Sequence, residues 1–342
     1  MPREITIIGG GLAGLTLGIA LRERGIGVNL WEAGAYPRHR VCGEFISGNG
    51  LAVLRRLGLW DSLLKAGASK AQSVGLCFGR KLRKYELPEP ALCLSRFHLD
   101  HFLAARLEAL GGSVKTGARY NGPWETDGLV RGTGRQARAE EKDWHWYGLK
   151  AHARDVSLEA DLEMHYASQA YVGLCRLNEQ TVNVCGLFRR KASDPKPGRG
   201  LPEKLRGTAG TLLFDRLQEA KWEYDSVCAV AGLSFGPLPS LEEMPCCVGD
   251  VFRMIPPLTG NGMSIAFESA ELATAPLVDY AEGRSSWCEA RAEMARQYSK
   301  AFRARFFWSN LFQTAAFMPW ARSFSALFVS QRVFRFCFDR TR

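Results

Sequence analysis

The sequence predicts an α/β fold in which a parallel-sheet half carries an inserted antiparallel sheet and a helical C-terminal segment. Three observations support this. The chain opens with an apolar, β-branched run that leads into a glycine-rich turn and a helix. Between residues 144 and 188, short strands alternate with turn residues, which is typical of an antiparallel sheet. From Ser285 onward the pattern is helical and rich in aromatic residues.

The predicted elements follow in order along the chain. Ile5–Ile8 predicts a buried strand, 12–24 a helix that ends at Gly25, and 28–32 a second, parallel strand. Later helices are predicted over 51–57, 60–65, 96–110 and 262–280. Strands of the inserted sheet are predicted over 146–153, 161–166, 171–177 and 181–187. One more helix and a strand pair, ending at Gly249-Asp250, complete the predicted fold.

Composition excludes several classes of protein. The chain has 342 residues, 46% of them hydrophobic and 23% charged, which supplies ample material for a folded core and excludes dominant disorder. The formal net charge is +10, but the basic residues are scattered, which disfavours a nucleic-acid site. We therefore expect no nucleic-acid partner. The excess charge favours an anionic substrate or an anionic membrane surface.

The ten cysteines form no CxxC pair and no zinc-ligand spacing, so we expect no metal site. A chain of this size needs no disulfides, which predicts reduced thiols and a cytoplasmic protein. Two uncharged runs, at residues 5–21 and 306–321, resemble membrane segments. The first is better explained by its glycines as a strand, turn and helix, and the second is too short and polar to span a bilayer.

The first motif is Gly9-x-Gly11-x-x-Gly14 with Glu32 at the end of the second strand. The first glycine permits a tight turn, the second lets a pyrophosphate approach the backbone, and the third lets helix and strand pack closely. The helix N-terminus offers unpaired N–H groups to phosphate, and an acid at this position can bind ribose hydroxyls. This pattern predicts a Rossmann-like nucleotide site. The alternative is a glycine-rich turn without a ligand.

The second motif is the segment 40–47, which contains Arg40, Cys42, Gly43 and Glu44. By pattern alone it is a loop with one basic, one thiol and one acidic side chain. Its cysteine is equally consistent with a small buried apolar residue.

The third motif begins at Gly249-Asp250 and continues through a Pro/Gly loop, 256–262, into a helix. An aspartate at a strand end can bind polyol hydroxyls. Gly260 and Gly262 let backbone N–H groups at a helix start face a negatively charged ligand. An ordinary loop followed by a capped helix is the alternative.

Together the three motifs resemble a known family. The chain is similar, over about residues 4–280, to FAD-dependent oxidoreductases of the aromatic-hydroxylase (group A monooxygenase) and geranylgeranyl-reductase superfamily. The resemblance implies FAD as cofactor and NADPH or NADH as electron donor. It also implies a glutathione-reductase-type FAD-binding domain formed by 1–75, 92–142 and 226–284. A substrate-binding sheet domain would take 76–91 and 143–225, and the helical tail 285–342.

The resemblance also implies which residues contact FAD. The glycine turn and Glu32 would bind the ADP half, the Gly-Asp pair the ribityl and pyrophosphate part, and the Pro/Gly loop the isoalloxazine. The N-terminus of the helix that follows this loop would stabilise the anionic reduced flavin. The implied cofactor-binding residues are Gly9, Gly11, Leu12, Ala13, Gly14, Glu32, Ala33, Arg40, Cys42, Gly43, Arg96, Gly249, Asp250, Pro257, Gly260, Asn261, Gly262 and Met263.

Departures from the family leave the reaction type open. Hydroxylases carry an Asp-Gly after a central strand, whereas here Leu129–Arg131 is followed by Gly132-Thr133-Gly134-Arg135. The reductases' aromatic substrate motif is absent, and residues 171–176 stand in its place. Trp144-His145-Trp146 resembles the Trp-x-Trp of flavin halogenases, but Tyr147-Gly148 follows it, which disfavours halogenation.

The candidate catalytic residues are Cys42, Lys150 and His152. The Cys-Gly-Glu segment resembles a Cys-Gly loop near the flavin in the reductase branch, which implies Cys42, Gly43 and Glu44 as candidates beside the reactive face of the flavin. Lys150 and His152 share one strand face, because strand side chains alternate. If that face looks at the flavin, His152 is a candidate general base and Lys150 a binder of phenolate or carboxylate. The alternative is that both point to solvent. His165 and Tyr171 are weaker candidates, and His39 is expected to be structural or on the surface.

The tail from 302 to 338 interleaves aromatic residues with arginines. Helices that close the core are one interpretation. An apolar mouth or interfacial surface for a lipid-like or polyaromatic substrate is the other, which adds a peripheral membrane contact to the expected partners.

The resemblance implies a monooxygenase as the first hypothesis. Reduced flavin would form a C4a-hydroperoxide with O2 and hydroxylate an aromatic or lipid-phenol substrate, while the protein supplies position, field and access. The second hypothesis is a geranylgeranyl-reductase-like enzyme that saturates C=C bonds, with Cys42 near the proton-delivery side. The third is a flavoprotein that modifies or docks to a partner protein through its basic surface and aromatic tail.

Overall fold

The computed structural model describes residues 2–135, 143–194, 201–235, 245–318 and 330–342. Its strands are β1 (Ile5–Ile8), β2 (Val28–Trp31), β3 (Phe45–Ile46), β4 (Ser69–Phe78), β5 (Lys81–Cys93), β6 (Ser113–Lys115), β7 (Leu129–Arg131), β8 (Trp144–Arg154), β9 (Leu162–Tyr166), β10 (Ala170–Arg176), β11 (Val182–Lys191) and β12 (Lys221–Leu233). Its helices are α1 (Leu12–Arg22), α2 (Asn49–Arg56), α3 (Trp60–Lys65), α4 (Arg96–Ala109), α5 (Leu201–Leu205), α6 (Leu212–Leu217), α7 (Gly262–Ala281), α8 (Trp287–Ala316) and α9 (Gln331–Arg340).

The first sheet is parallel, as the opening β-α-β pattern predicts. Its strand order is β6-β2-β1-β7, which places β1 at the centre, and the backbone of Ile5–Ile8 pairs on both sides. β1 is buried, and its side chains Ile5 and Ile7 are wholly inaccessible to water. Burial on both faces explains why this strand is apolar at nearly every position rather than at alternate ones.

Helices α1, α4 and α7 cover this sheet. Every residue of α1 from Leu12 to Leu21 is buried, which accounts for its low content of polar side chains. Gly18 lets α1 approach α4 closely, because a Cβ on Gly18 would overlap the side chain of Leu107. A single apolar cluster therefore connects the sheet with the helices, and it fixes the orientation of the glycine turn.

The second sheet has eight strands in the order β12-β8-β11-β10-β9-β4-β5-β3. All neighbours are antiparallel except β4 and β9, which pair in parallel. Within the predicted strands the agreement is close, since β8, β9, β10 and β11 coincide with the predicted four to within a few residues. One face packs against α5 and α6 through residues such as Leu149, Val184 and Leu213.

The structure differs from the sequence prediction in three places. The sheet takes in β3, the first half of β4 and the second half of β12, so its strands cross the predicted domain boundaries at 75 and 226. Two short helices stand where one was predicted, since Gly207 and Gly210 interrupt the segment with positive φ angles. Residues 236–244 and 319–329, including the predicted tail residues Trp320 and Phe324, lie outside the described ranges.

A further correction concerns the residues before Gly249. A strand is predicted there, but Cys247 makes only a single parallel bridge to Arg131, and Gly249–Val251 form a 3-10 turn. The positive φ of Gly249 (+67°) turns the chain away from the sheet as soon as it reaches the edge.

Two helices complete the C-terminal part. A capping box at Ser286 and Glu289 begins α8, and Tyr298 anchors it by donating to the carbonyls of Cys247 and Ser269. α9 packs on the second sheet through Phe334, whose ring stacks on Tyr85 at 4.8 Å. Among the described helices, none combines the length and apolar composition that a membrane span requires.

Candidate active site

A cavity of about 1500 Å³ lies between the two sheets and extends to α8 and α9. The glycine turn after β1 borders one end, and apolar side chains of the second sheet and the C-terminal helices border the other. All of the predicted cofactor-binding residues line it except Gly14 and Asn261, which are buried. The structure thus brings together residues that are more than 250 positions apart in sequence.

The three glycines of the first motif differ in what a side chain at their position would contact. Gly9 has a φ of +110°, and a Cβ there would collide with the carbonyl of Gly132. A Cβ on Gly14 would overlap the carbonyl of Gly9 itself. Gly11, in contrast, caps α1 beside open space, with no described atom within 4 Å of a Cβ placed there. The N-terminus of α1 therefore faces the cavity and is free to receive a phosphate group.

Glu32 borders the cavity at the end of β2, as predicted. Its carboxylate accepts hydrogen bonds from the backbone N–H groups of Gly10 and Gly34, each at 2.8 Å, and pairs with Arg38 at 2.6 Å. Burial by itself raises the pKa of Glu32, but the hydrogen bond from Gly34 and the Arg38 guanidinium lower it below its usual value. The group is therefore an anionic hydrogen-bond acceptor, which is the form that ribose hydroxyls require.

Positive charge surrounds the middle of the cavity. Arg40, Arg96 and Arg135 line it together with Asp250. Arg96 is held by a bidentate pair with Asp100, at 2.6 and 2.8 Å, and Arg40 reaches the same carboxylate at 3.2 Å. This arrangement suits a pyrophosphate, because fixed guanidinium groups stabilise its charge without reorganisation.

Burial raises the pKa of Asp250 to about 6, although Arg96 and Arg135 act in the opposite direction. A carboxyl group in this state can either accept or donate hydrogen bonds near neutral pH. Polyol hydroxyls offer both partners, which is consistent with the ribityl contact expected for this residue.

The third motif forms a second helix N-terminus at the cavity. Gly260 takes a left-handed conformation with φ +66°, and α7 begins at Gly262, where no described atom lies within 4 Å of a Cβ. Between them Asn261 is fully buried, yet neither atom of its side-chain amide has a hydrogen-bond partner among the described residues. The Asn261 side chain does not line the cavity, whereas Gly260 and Gly262 on either side of it do.

These observations fit FAD. The two open helix N-termini, the arginines and the Glu32 carboxylate supply partners for a flavin dinucleotide. FAD would be held by the predicted residues, and no described side chain fills the space beside Gly11 or Gly262.

A buried polar cluster adjoins the cavity beside Cys42. Its centre is Glu44, which is wholly buried and whose Oε2 lies 2.7 Å from His152 Nε2. Its Oε1 accepts from the Arg96 backbone N–H at 2.9 Å and lies 3.4 Å from Lys150 Nζ. We call Glu44, Lys150, His152 and His39 the Glu44 cluster, because Lys150 Nζ also lies 3.0 Å from His39 Nδ1.

Within the Glu44 cluster, the side chains of Lys150 and His152 are both buried. They share a strand face, as predicted, but the alternative that they point to solvent is wrong, since they are 0% and 5% exposed. Neither lines the cavity, because the loop that carries Glu44 and His39 covers them. The expectation that His39 is structural or on the surface is corrected, because His39 borders the cavity.

Electrostatics within the cluster favour a neutral His39 and a charged Glu44. Burial and the neighbouring Lys150 lower the pKa of His39 to about 4. Burial raises the pKa of Glu44, but His152 and Lys150 outweigh it and lower the pKa below its usual value. Burial raises the pKa of the Cys42 thiol, so Cys42 is protonated at neutral pH.

The far part of the cavity is apolar and aromatic. Its walls are formed by side chains of the second sheet and of the C-terminal helices: Leu76, Phe78, Met164, Tyr166, Leu187, Val230, Phe312, Phe334 and Phe338. Tyr171 also lines the cavity, and its hydroxyl is buried and has no hydrogen-bond partner among the described residues. An apolar chamber with one unpaired hydroxyl suits an apolar ligand that carries one polar group.

Two groups of side chains have metal-ligand character. Within each group the ligand atoms lie within 4.8 Å of one another: His39, Glu44 and His152, and Cys77, Glu163 and His165. A protein cation already occupies each site, since Lys150 lies 3.4 Å from Glu44 and Arg216 3.2 Å from Glu163. The second group includes His165, which contacts Glu163 at 3.0 Å.

Sequence reasoning missed two features of this site: the position of His39 at the cavity and the central position of Glu44. The positive φ of Glu44 (+60°) is invisible in the sequence. The pattern of α9 did carry a signal, because Phe334 and Phe338 are one helical turn apart and both face the cavity.

Comparison with known proteins agrees with this geometry. A family model described as an FAD binding domain matches residues 3–169. The 6-methylpretetramide 4-monooxygenase of Streptomyces rimosus is 31% identical over 137 residues, which cover 38% of this chain and 33% of that protein. The 3-amino-4-hydroxybenzoate 2-monooxygenase PtmB3 of Streptomyces platensis is 33% identical over 110 residues, covering 31% and 27%. The chain thus matches about a third of the length of these relatives.

Solved structures share the fold over nearly the whole chain. The flavin-dependent brominase Bmp2 has a TM-score of 0.71 at 17% identity, covering 98% of this chain and 93% of that one. The halogenase PltM has a TM-score of 0.75 at 14% identity, covering 92% and 76%. PqsL of P. aeruginosa, in complex with 2-aminobenzoylacetate, has a TM-score of 0.68 at 15% identity, covering 98% and 99%. At these identities the likeness concerns the fold.

Proposed function

We propose that this chain is an FAD-dependent monooxygenase that inserts one oxygen atom of O2 into an aromatic or lipid-phenol substrate. One observation supports this above all: the proposed FAD site continues into a chamber whose walls are mostly apolar and aromatic, with the Tyr171 hydroxyl unpaired among the described residues. The relatives from Streptomyces rimosus and Streptomyces platensis are named as monooxygenases, which favours the same chemistry.

The reaction balances with a nicotinamide donor. A substrate C–H, O2, NAD(P)H and one proton would give a C–OH, water and NAD(P)+. When bound, FAD supplies the redox chemistry, whereas the chain supplies position, charge and the exclusion of water. NADPH or NADH as the donor is part of the proposal.

The residues of the chamber orient the substrate. Its ring would pack among the aromatic walls, and its hydroxyl would pair with the Tyr171 hydroxyl, which costs free energy while it is buried without a partner. The neutral imidazole of His39 borders the same cavity and is a second hydrogen-bonding group for that hydroxyl.

The Glu44 cluster holds His39 in place. Donation from Lys150 Nζ to His39 Nδ1, at 3.0 Å, leaves the remaining imidazole proton on Nε2. Glu44, whose Oε1 lies 3.4 Å from Lys150 Nζ, holds this lysine behind the cavity wall. In this proposal Lys150 and His152 act as positioning residues, because the loop around Glu44 separates them from the cavity.

The experiment is an oxygen-labelling assay. The purified protein with FAD, NADPH or NADH, and 18O2 would be incubated with alkylphenols and alkylresorcinols of graded chain length, and products would be analysed by mass spectrometry. We expect a product with one 18O atom. Parallel reactions would contain bromide, or would lack O2 and contain an alkenylphenol as substrate.

Each reaction condition distinguishes oxygen insertion from one alternative reaction. A brominated product without 18O would overturn oxygen insertion in favour of halogenation. An anaerobic product with two added hydrogens would favour C=C reduction, the second candidate, which the protonated Cys42 thiol at the cavity wall supports. Tyr171→Phe should raise KM for the phenol several-fold and leave flavin reduction unchanged. Tyr147→Phe, outside the cavity, is the matched control.

A further inference from the structure

We propose that the outer face of α8 and α9 docks the protein on an anionic lipid bilayer, from which an apolar substrate enters the cavity. The substrate part rests on the proposed oxygen insertion. The docking part rests on the surface of the two helices alone, and it is tested without substrate.

Large apolar side chains lie exposed along one side of α8. Phe307 is 63% exposed and Leu311 is 46% exposed. They are four residues apart, so they follow one another along the same helix face. The opposite face of α8 is buried, since Phe302 and Phe306 belong to the core. This outer stripe is therefore not needed to attach the helix.

α9 continues the same surface. Val333 and Phe336 are each 46% exposed, and the Phe336 ring contacts Trp308 of α8 with a centroid distance of 5.8 Å. We call Phe307, Trp308, Leu311, Val333 and Phe336 the apolar patch. Contiguous exposed apolar side chains of this size mark interaction surfaces in soluble proteins.

Arginines surround the apolar patch. Arg340 lies over the rings of Trp308 and Phe336, at 5.7 and 5.2 Å. Arg303, Arg332 and Arg335 are exposed on the same two helices, where Asp339 is the acidic neighbour of Arg335. Aromatic and aliphatic side chains flanked by arginines suit the boundary between acyl chains and anionic headgroups.

This charge pattern selects the bilayer over a second copy of the chain. A symmetric contact between two patches would bring the same arginines of both copies together, and their repulsion would oppose it. Anionic headgroups neutralise these arginines instead. The formal net charge of +10 adds attraction of the same sign at long range.

The apolar patch adjoins the cavity. The inner faces of the same helices line the cavity through Phe312, Ala316, Phe334 and Phe338. Val333 belongs to both surfaces, since it lines the cavity and is 46% exposed. A lipid-like substrate therefore has an apolar route from the patch to the chamber without crossing water.

The test is vesicle sedimentation of the FAD-loaded full chain. Vesicles of phosphatidylcholine and phosphatidylglycerol in equal parts would be compared with vesicles of phosphatidylcholine alone, at low and high salt. The first variant is Phe307→Ser with Leu311→Ser. Tyr224→Ser is its control, because Tyr224 is 66% exposed on β12, outside the patch. Arg332→Gln with Arg335→Gln tests the charge, against Lys81→Gln with Lys84→Gln on β5.

We expect binding to the anionic vesicles that salt weakens. The Phe307/Leu311 variant should bind at least about tenfold more weakly, because burial of each apolar side chain in the bilayer contributes to the affinity. The Arg332/Arg335 variant should bind about tenfold more weakly. Both controls should bind like the unmodified chain. Flavin absorbance and melting temperature show that each variant is folded.

Three results would overturn the proposal. The first is no binding to anionic vesicles, and the second is equal binding by the Phe307/Leu311 variant and by Tyr224→Ser. The third is a dimer in sedimentation velocity that is absent in the Phe307/Leu311 variant. The last would assign the surface to a second copy. Because the assay involves no turnover, failure of oxygen insertion leaves its result standing. Conversely, oxygenation of a water-soluble phenol with no vesicle binding would retain the proposed function and remove the membrane route.

Discussion

Glu44 holds a buried carboxylate in a backbone conformation, φ +60°, that non-glycine residues seldom adopt. Such a conformation costs about 1–3 kcal/mol and persists where its surroundings demand it. Here the side chain pairs with His152 and Lys150, and the backbone carbonyl accepts from the Leu94 N–H at 3.1 Å. Strain at one residue thus serves to bring an acidic group against a buried lysine at the cavity wall.

Glu44→Gln should destabilise the protein by about 3–5 kcal/mol, because it leaves the charge of Lys150 buried without its partner. Urea unfolding measures the loss. The double variant Glu44→Gln with Lys150→Met should recover part of it, since the unpaired charge is gone. Glu271→Gln, which breaks the exposed pair with Arg56, should cost at most about 1 kcal/mol. Equal losses at Glu44 and Glu271 would contradict this account.

Asp250 gives a pH dependence of the opposite sign to that of most carboxyl groups. Its folded pKa of about 6 exceeds the value near 4 of an unfolded aspartate, so the folded protein holds the proton more tightly. The free energy of unfolding should therefore fall as pH rises from about 4 to about 6, by about 2–3 kcal/mol from this group.

Asp250→Asn removes this contribution. In flavin-free protein, the variant should match the unmodified chain at pH 4 and exceed its stability by about 2–3 kcal/mol at pH 8. Urea unfolding at each pH gives the difference curve. Asp225→Asn, an exposed aspartate of β12, should show no such curve. A flat difference for Asp250→Asn would mean that the carboxyl group titrates normally.

At the scale of elements, the turn between β1 and α1 contains one glycine that is needed for packing and another that leaves space for a ligand. Gly14 is a packing position, because a Cβ there would overlap Gly9. Gly11 is a binding position, because a Cβ there would meet no described atom and would project into the space beside the helix N-terminus. The two glycines belong to one motif and yet serve different ends.

Gly11→Ala should bind FAD at least about tenfold more weakly while the flavin-free melting temperature stays within about a degree, because a methyl group would occupy phosphate space only. Gly14→Ala should lower the flavin-free melting temperature by several degrees through the backbone clash. Fluorescence titration with FAD and thermal unfolding measure the two effects. A drop in melting temperature for both variants, or for neither, would refute this division.

At the scale of the whole molecule, the C-terminal helices join the two sheets around the cavity. A buried bidentate pair between Arg305 and Glu268, at 2.7 and 2.8 Å, fixes α8 on α7. α9 reaches the second sheet through Phe334, and Arg342 donates to the carbonyl of Thr259 at 2.7 Å. The cavity is therefore closed by contacts between distant parts of the chain, and α9 is its least buried wall, since none of its residues is buried.

Phe334→Ala should loosen α9 selectively. Loss of the stack on Tyr85 is worth about 0.5–1.5 kcal/mol, so the amide hydrogens of 331–340 should exchange up to about tenfold faster while those of α8 do not change. Hydrogen-exchange mass spectrometry resolves the two helices. Phe307→Ala, on the outer face of α8, should leave α9 exchange unaltered. Unchanged exchange in Phe334→Ala would show that other contacts hold this helix.

Local patterns were sufficient for much of the fold and for the glycine turns that border the cavity. The β1-α1-β2 unit, the start of α7 at Gly262 and four strands of the second sheet follow from periodicity and from glycines whose conformations few other residues adopt. Each depends on residues within one or two turns of each other. Such short-range constraints are written in the sequence itself.

The sequence by itself determined the strand, turn and helix units, the acidic residue after β2 and the apolar character of the tail, because these depend on neighbours along the chain. Only the tertiary structure decided that Glu44 covers Lys150 and His152, that His39 reaches the cavity, and that α9 closes it. Those contacts join residues more than 100 positions apart. Their geometry is fixed by how sheets and helices pack, which no local pattern specifies.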